Sequence, residues 1–357
     1  MYSFASDNMS EVHPQIMDAL LRCNSGPAAA YGADDWTARL NAVYSELFER
    51  ETFVFPTPTG TAANGLAIAA CAPPHGAVFC HALSHIVTAE CGAPEFYSGG
   101  ARLVLLPSEA SKVETGALTA ELGNYGPDHI HQLKPAVVSI TQATERGRVY
   151  TLSEIAALGE IARSHAMRLH MDGARFTNAL VHLGATPAEM TWKSGVDILS
   201  FGTTKNGTMM SEAVIVFDKA TAADIRYRHK RAGLLQSKMR YFSAQLIAYL
   251  EGDLWRKSAL QANLNAQRLA KALSAAEGVS LADPVEANEV FVHLPPPVKA
   301  ALAAHDIHFR KWADTKDTLF RIVASYADDP KQIAQVERAI MALDVTQVGG
   351  IETNRNC

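Results

Sequence analysis

Between about residues 50 and 220, short apolar runs alternate with stretches whose apolar positions recur at helical spacing. The runs fall at 52–55, 77–80, 99–106, 136–140, 168–171, 196–201 and 212–217, and they are rich in Val, Ile, Phe and Leu. Helices are expected at 13–21, where Pro14 suits a first turn, at 37–50, and in the small-residue stretch 65–70. Thr151 to His165 reads as another, with Ser153 as its cap and Ile155, Leu158 and Ile161 as its stripe. This alternation predicts an α/β domain built on a mainly parallel sheet with helices on both faces. Beyond it, residues 226–240 are densely basic and 241–276 form one long helical stretch. Short strands at 289–293 and 319–323 follow, the texture of a smaller C-terminal α+β domain. The expected division is an N-terminal segment 1–15, a large domain 16–250 and a smaller one 251–357. The tail after Val348 is expected to be disordered.

Chemistry collects where strands end. The run 196–201 leads into Gly202-Thr203-Thr204-Lys205-Asn206-Gly207, a polar, glycine-flanked loop with one lysine. A lysine has a compact charge on a flexible stem, which suits Schiff-base formation, although an isolated Thr-Lys far more often marks a surface loop. The strand from Arg168 runs directly into Asp172-Gly173-Ala174-Arg175. Two strand ends that deliver charged groups describe the carboxyl edge of a parallel sheet, where open α/β folds place their ligands. Thr59-Gly60-Thr61 stands between a strand and a helix. It reads either as an anion site, because the first helical N–H groups lack partners, or as a threonine cap. His81 and His85 are four apart but lack the pattern of a zinc helix. They read as structural, or as an imidazole lying over a flat cofactor.

Composition narrows the class. With 48% hydrophobic residues in 357, the chain has ample apolar material for a large core, and its net charge of -5 without a basic stripe argues against a nucleic-acid partner. The five cysteines form no CxxC pair, the start has no signal-peptide pattern, and no apolar run is long enough to span a membrane. A cytoplasmic protein with reduced thiols is expected.

Taken in order, several motifs carry a family resemblance: Phe4-Ala5-Ser6-Asp7-Asn8, Tyr31-Gly32-x-Asp34, Thr59-Gly60-Thr61-Ala62-Ala63-Asn64 and His85 followed by Glu90. Asp172-Gly173-Ala174-Arg175 and Thr204-Lys205-Asn206-Gly207 complete the set, and the resemblance runs in order from about residue 3 to about residue 325. The set resembles the low-specificity L-threonine aldolases, pyridoxal phosphate enzymes of the aspartate-aminotransferase fold (fold type I). The resemblance implies that Lys205 holds the cofactor covalently, Asp172 pairs with the pyridinium nitrogen and His85 stacks on the ring. It gives Gly60 and Thr61 the phosphate, and Arg175 and Arg321 the substrate carboxylate, with Ser6 assisting. Tyr31 and the basic patch, which show no evident role in their own subunit, would reach a neighbour's site. Lys230 is then the first phosphate contact and Arg231 the alternative, and the assembly is a homodimer or homotetramer with shared sites. No metal is implied.

The implied reaction is retro-aldol cleavage of a β-hydroxy-α-amino acid to glycine and an aldehyde, the work of a carbon–carbon lyase. His85, Glu90 and Glu145, or a water they hold, are the candidate bases for the β-hydroxyl proton. Several family members carry a histidine where this chain has Glu145, which is expected to be ionised at neutral pH and so only to accept. The alternatives are another enzyme of the same cofactor, an aminotransferase or β-eliminating lyase, and a non-catalytic ligand-binding relative.

Overall fold

The computed structural model describes residues 3–108, 111–126, 129–312 and 318–349. The chain divides into two compact units. One is Val12–Arg256; the other comprises the described residues before Val12 and those from Lys257 onward.

The larger unit holds a seven-stranded sheet. Its strands are β1 (Phe53–Thr57), β2 (Gly76–His81), β3 (Arg102–Leu106), β4 (Lys134–Thr141), β5 (Arg168–Gly173), β6 (Ile198–Phe201) and β7 (Glu212–Val216). They lie in the order β1-β7-β6-β5-β4-β2-β3. Strands β2, β6 and β7 are buried at every position, as strands covered on both faces must be, and this is why they read as continuous apolar runs. All pairings from β3 across to β6 are parallel, but β7 runs antiparallel to both β6 and β1. The sheet is thus mainly parallel with one reversed strand. That reversal matters for the site: β7 begins at the edge where β5 and β6 end, with Ala213 opposite Phe201.

Phe201, the last residue of β6, is fully buried within an aromatic cluster. Its ring centroid lies 5.3 Å from Phe176, 5.8 Å from Tyr44, 6.4 Å from Phe48 and 6.1 Å from Tyr249, with tilts that favour edge-to-face contact. The strand end that leads to Lys205 is therefore fixed by packing.

Three expectations about boundaries are corrected. The Leu152–Ser164 helix is capped by Thr151, not Ser153: Thr151 accepts from the Glu154 N–H while the Glu154 side chain accepts from the Thr151 N–H. The third strand begins at Arg102 because Gly99 and Gly100 turn the chain with φ of 77° and 130°. The helical stretch from 241 to 276 is broken at Gly252, φ 64°, into Arg240–Leu250 and Leu254–Ser274.

The smaller unit carries β8 (Ser280–Leu281), β9 (Glu289–His293), β10 (Arg310–Lys311) and β11 (Leu319–Val323), all antiparallel, in the order β10-β11-β9-β8. Val290, Val292, Phe320 and Ile322 form its core with Ile333 and Val336 of the Pro330–Gly349 helix. Residues 350–357 of the expected disordered tail lie outside the described residues. Among the described residues, no helix is long and apolar enough to cross a membrane.

The ends of β5 and β6 approach so closely that a side chain has no room. A Cβ on Gly202 would stand 2.6 Å from the Ala174 carbonyl oxygen and 2.7 Å from the Ala174 Cα. Gly202→Ala should cost roughly 2–4 kcal/mol in denaturant unfolding, since both clashing atoms are backbone. Gly116→Ala, in open space within the Thr115–Leu122 helix, should instead be neutral or gain up to about 1 kcal/mol. Equal effects of the two changes would refute the close-approach account.

Candidate active site

Three strand ends of the sheet bring their polar residues to one edge. β5 ends in Asp172 and Gly173, whose register partners on β6 are Ser200 and Phe201. Gly202 then donates its N–H to the Gly173 carbonyl at 3.0 Å, and Lys205 follows in the short turn Thr204–Asn206. The turn is anchored on both sides. Glu212, the first residue of reversed β7, accepts from the Thr203 N–H at 2.6 Å and the Thr204 N–H at 3.4 Å. Asn206 donates from Nδ2 to the Tyr249 hydroxyl at 2.6 Å and the Trp255 carbonyl at 2.8 Å. Glu212 is buried, and burial raises its pKa against the pull of these donors and of Lys205.

Asp172 is buried, with Oδ1 accepting from the Ala174 N–H at 3.0 Å and Oδ2 from Asn64 Nδ2 at 2.8 Å. The second Asn64 N–H goes to Glu90 Oε1, also at 2.8 Å, and the same oxygen meets His85 Nδ1 at 2.8 Å. His85, Glu90, Asn64 and Asp172 thus form one hydrogen-bonded chain. The Glu90 side chain is sealed from solvent, whereas that of His85 is half exposed. The hydrogen bond to Glu90 raises the His85 pKa, and burial raises that of Glu90. His85 also senses the Asp172 carboxylate and the Lys205 ammonium.

Glu145, just past β4, joins this group from the other side. Its Oε1 accepts from the His85 backbone N–H at 2.8 Å and the Thr141 hydroxyl at 3.0 Å, while Oε2 is buried without a partner. Burial pushes its pKa up to about 7, so the expectation of a fully ionised, accept-only carboxylate is corrected. Near neutrality it also exists as an acid able to donate. Beneath the edge, His170 lies between Ser139 Oγ at 2.9 Å and Ser200 Oγ at 3.0 Å; burial lowers its pKa to about 4 and keeps it neutral.

The other sequence-predicted residues are placed as follows. Gly60 and Thr61 open the Gly60–Cys71 helix, whose cap is Thr59, accepting from the Ala62 N–H at 3.1 Å. The cap and the open helix end therefore coexist: a Cβ on Gly60 would meet nothing within 4 Å. Half-buried Arg175 begins the Phe176–Leu183 helix two residues after β5. Lys230 places Nζ 4.4 Å from the Tyr31 ring centroid, so these two residues do have a partner within their own chain. They line a surface cavity of about 740 Å³ with Arg226, Tyr227 and Arg231. Ser6 and Arg321 belong to the smaller unit, where Ser6 caps the Asp7–Met9 turn and Arg321 lies 3.6 Å from Glu289. His81 is separate from His85, its ring held by the Leu83 N–H and the Ser108 carbonyl. Among the described residues, no group of three or more His, Cys, Asp or Glu could hold a metal ion.

Sequence reasoning gave no role to Asn64, Glu212 or Asn206. Asn64 had a signal, being a polar residue on the buried side of a helix otherwise made of Gly, Ala, Thr, Leu, Ile and Cys. Glu212 had none, because its position depends on β7 running backwards.

A mainly parallel sheet that brings a lysine, an aspartate and a histidine–glutamate pair to its carboxyl edge defines an α/β enzyme with its chemistry at the strand ends. The family model described as beta-eliminating lyase matches residues 3–295. The chain is 42% identical to the low specificity L-threonine aldolase of Pseudomonas aeruginosa over 337 residues, covering 94% of this chain and 96% of that protein. It is 45% identical to the enzyme of the same description from a Pseudomonas species over 299 residues, 84% and 86% of the two chains. A solved structure of Leishmania major threonine aldolase superposes with a TM-score of 0.86 at 28% identity, covering 97% of this chain and 99% of that one. The chain belongs to the beta-eliminating lyase family and, within it, to the low-specificity L-threonine aldolases.

The Glu145 shift predicts a pH signature. Between the ordinary glutamate pKa of 4.5 and about 7, the folded state holds a proton that the unfolded state has lost. Its contribution to stability therefore falls as pH rises through that window. Glu145→Gln cannot ionise, so its thermal midpoint relative to wild type should improve between pH 5 and pH 8, by ~1–3 °C. A difference that stays constant with pH would place Glu145 in an ordinary solvated setting.

Proposed function

We propose that this protein cleaves the Cα–Cβ bond of L-threonine, L-allo-threonine and related β-hydroxy-α-amino acids, giving glycine and an aldehyde, with pyridoxal 5'-phosphate bound covalently to Lys205. The observation that carries this reading is the chain His85–Glu90–Asn64–Asp172 standing beside the anchored Lys205 turn. The residues present fit the cofactor. Open space lies before the Gly60 helix end, where a phosphate can take the unpaired N–H groups, and the buried Oε2 of Glu145 lacks a partner.

When bound, the cofactor supplies an electron sink for a bond broken at the substrate's α-carbon. Asp172, held in place by its Asn64 and Ala174 donors, would pair with the ring nitrogen of the bound cofactor. Half-exposed His85, oriented by Glu90, would lie against the cofactor ring. Gly60 and Thr61 would hold the phosphate, and Arg175 would offer a planar guanidinium to the substrate carboxylate. The base that takes the β-hydroxyl proton is drawn from His85, Glu90 and Glu145, or a water they hold; such help is worth about 10²–10⁴-fold. Lys230 and Arg231, with Tyr31, serve the site of a second copy in a homodimer or homotetramer.

Purified protein given L-threonine, L-allo-threonine or phenylserine should release the matching aldehyde and glycine. Keto-acid formation, or ammonia with pyruvate, would overturn the reading in favour of transamination or elimination. Lys205→Ala should lose the borohydride-trappable link and nearly all turnover. Asp172→Asn should lose far more rate than Asp172→Glu; equal losses would make Asp172 merely structural.

The shared site is tested by mixing. Hybrids of a Tyr31→Ala chain with a Lys205→Ala chain should regain part of the activity, because one of their sites is intact. If hybrids form and no activity returns, both residues serve one chain's site.

A further inference from the structure

We infer that Asn64 is a positioning residue of this site: its one amide group spans Asp172 and Glu90 and, through Glu90, sets the His85 imidazole. The inference rests on the reading just given and adds a residue to it. Asn64 lies on the Gly60–Cys71 helix and is 2% exposed. Both of its N–H bonds are spent, one on each carboxylate at 2.8 Å. The sense of the amide is fixed by the chemistry around it. Turning it over would set Oδ1 against two carboxylate oxygens, so nitrogen must face them. Oδ1 is left buried without a partner, an arrangement with no stabilising value of its own and one that ordinary core asparagines avoid.

The amide does what no ionisable side chain could. Glu90 and Asp172 are two buried acids facing the same helix, with Glu145 close enough to sense Asp172. The hydrogen bond to Glu90 raises the His85 pKa, with Asp172 and Lys205 also acting on the imidazole. A neutral double donor meets both carboxyl groups without adding a charge and without taking up a proton itself. It also ties the residue assigned to the ring face, His85, to the residue assigned to the ring edge, Asp172. Movement of one is then transmitted to the other over three hydrogen bonds.

Two variants test this in the cofactor-loaded protein. Asn64→Asp keeps the shape and turns both donors into acceptors; Asn64→Ser keeps one donor at shorter reach. The readouts are the cofactor dissociation constant, the pH midpoint of its visible absorbance without substrate, the His85 imidazole titration by NMR, and the thermal midpoint. Asn64→Asp should weaken cofactor retention by ~10-fold or more and move the absorbance midpoint by ~0.5 pH unit or more, with Asn64→Ser moving it less. The His85 titration should move in both variants. Unchanged titrations and retention in both variants overturn the inference, and so does a loss of thermal stability with unmoved titrations, which would make Asn64 structural only. A wild-type protein that takes up no chromophore overturns the functional reading and this inference with it. A loaded wild type whose titrations the variants share overturns this inference alone.

Discussion

Burying an acid is costly unless donors meet it, and the carboxyl edge of this sheet is arranged around that constraint. An ionised carboxylate removed from water without compensation costs at least several kcal/mol, enough to cancel a large part of a domain's stability. Asp172 is met by the Ala174 N–H and Asn64, Glu90 by Asn64 and His85, and Glu145 by the His85 N–H and Thr141. Glu212 is met by the N–H groups of Thr203 and Thr204. Every donor on that list belongs to a segment that leaves or approaches a strand end. Satisfying the acids therefore dictates how the chain turns after β5 and β6 and how it enters the stretch beginning at His85.

Strand direction makes this possible. Parallel strands bring only their last residues to this edge, and β7 alone contributes a first residue, Glu212. That carboxylate grips the turn before Lys205 from one side, while Asn206 ties it to Tyr249 and Trp255 from the other. Behind the turn, Phe201 is locked among aromatic rings, and Gly173 and Gly202 allow the two strand ends to pass at backbone contact. The lysine's flexible stem thus begins from a fixed point. Catalytic constellations need this kind of support, because a displacement of about 1 Å removes most of the advantage of proximity.

Much of this was legible in the order of residues. Short Val- and Ile-rich runs separated by helical periodicity specify a covered, mainly parallel sheet. Polar groups placed directly after such runs, Asp172 and Lys205 above all, mark its carboxyl edge because a strand's last residue has only one place to go. The helix caps and breaks were legible only in part. Thr151 and Ser153 are both good cap residues, and the choice fell to Thr151 because Glu154 could close the reciprocal box. Gly252 is a lone glycine inside a helical pattern, a position that a helix can tolerate at a cost or break at.

The sequence by itself determined the fold class and the chemistry available, since both follow from local periodicity and from residue type at strand ends. The tertiary structure decided which acids share donors and which are buried deeply enough for their pKa to rise. Glu145 is an ordinary glutamate by composition, and only burial behind His85 lifts its pKa to about 7. Asn64 and Glu212 acquired roles through contacts across 108 and 9 residues of chain respectively, the second spanning a strand reversal that no local pattern encodes. Hydrogen bonds and burial are properties of where chain segments meet, and that meeting is fixed only when the whole sheet is assembled.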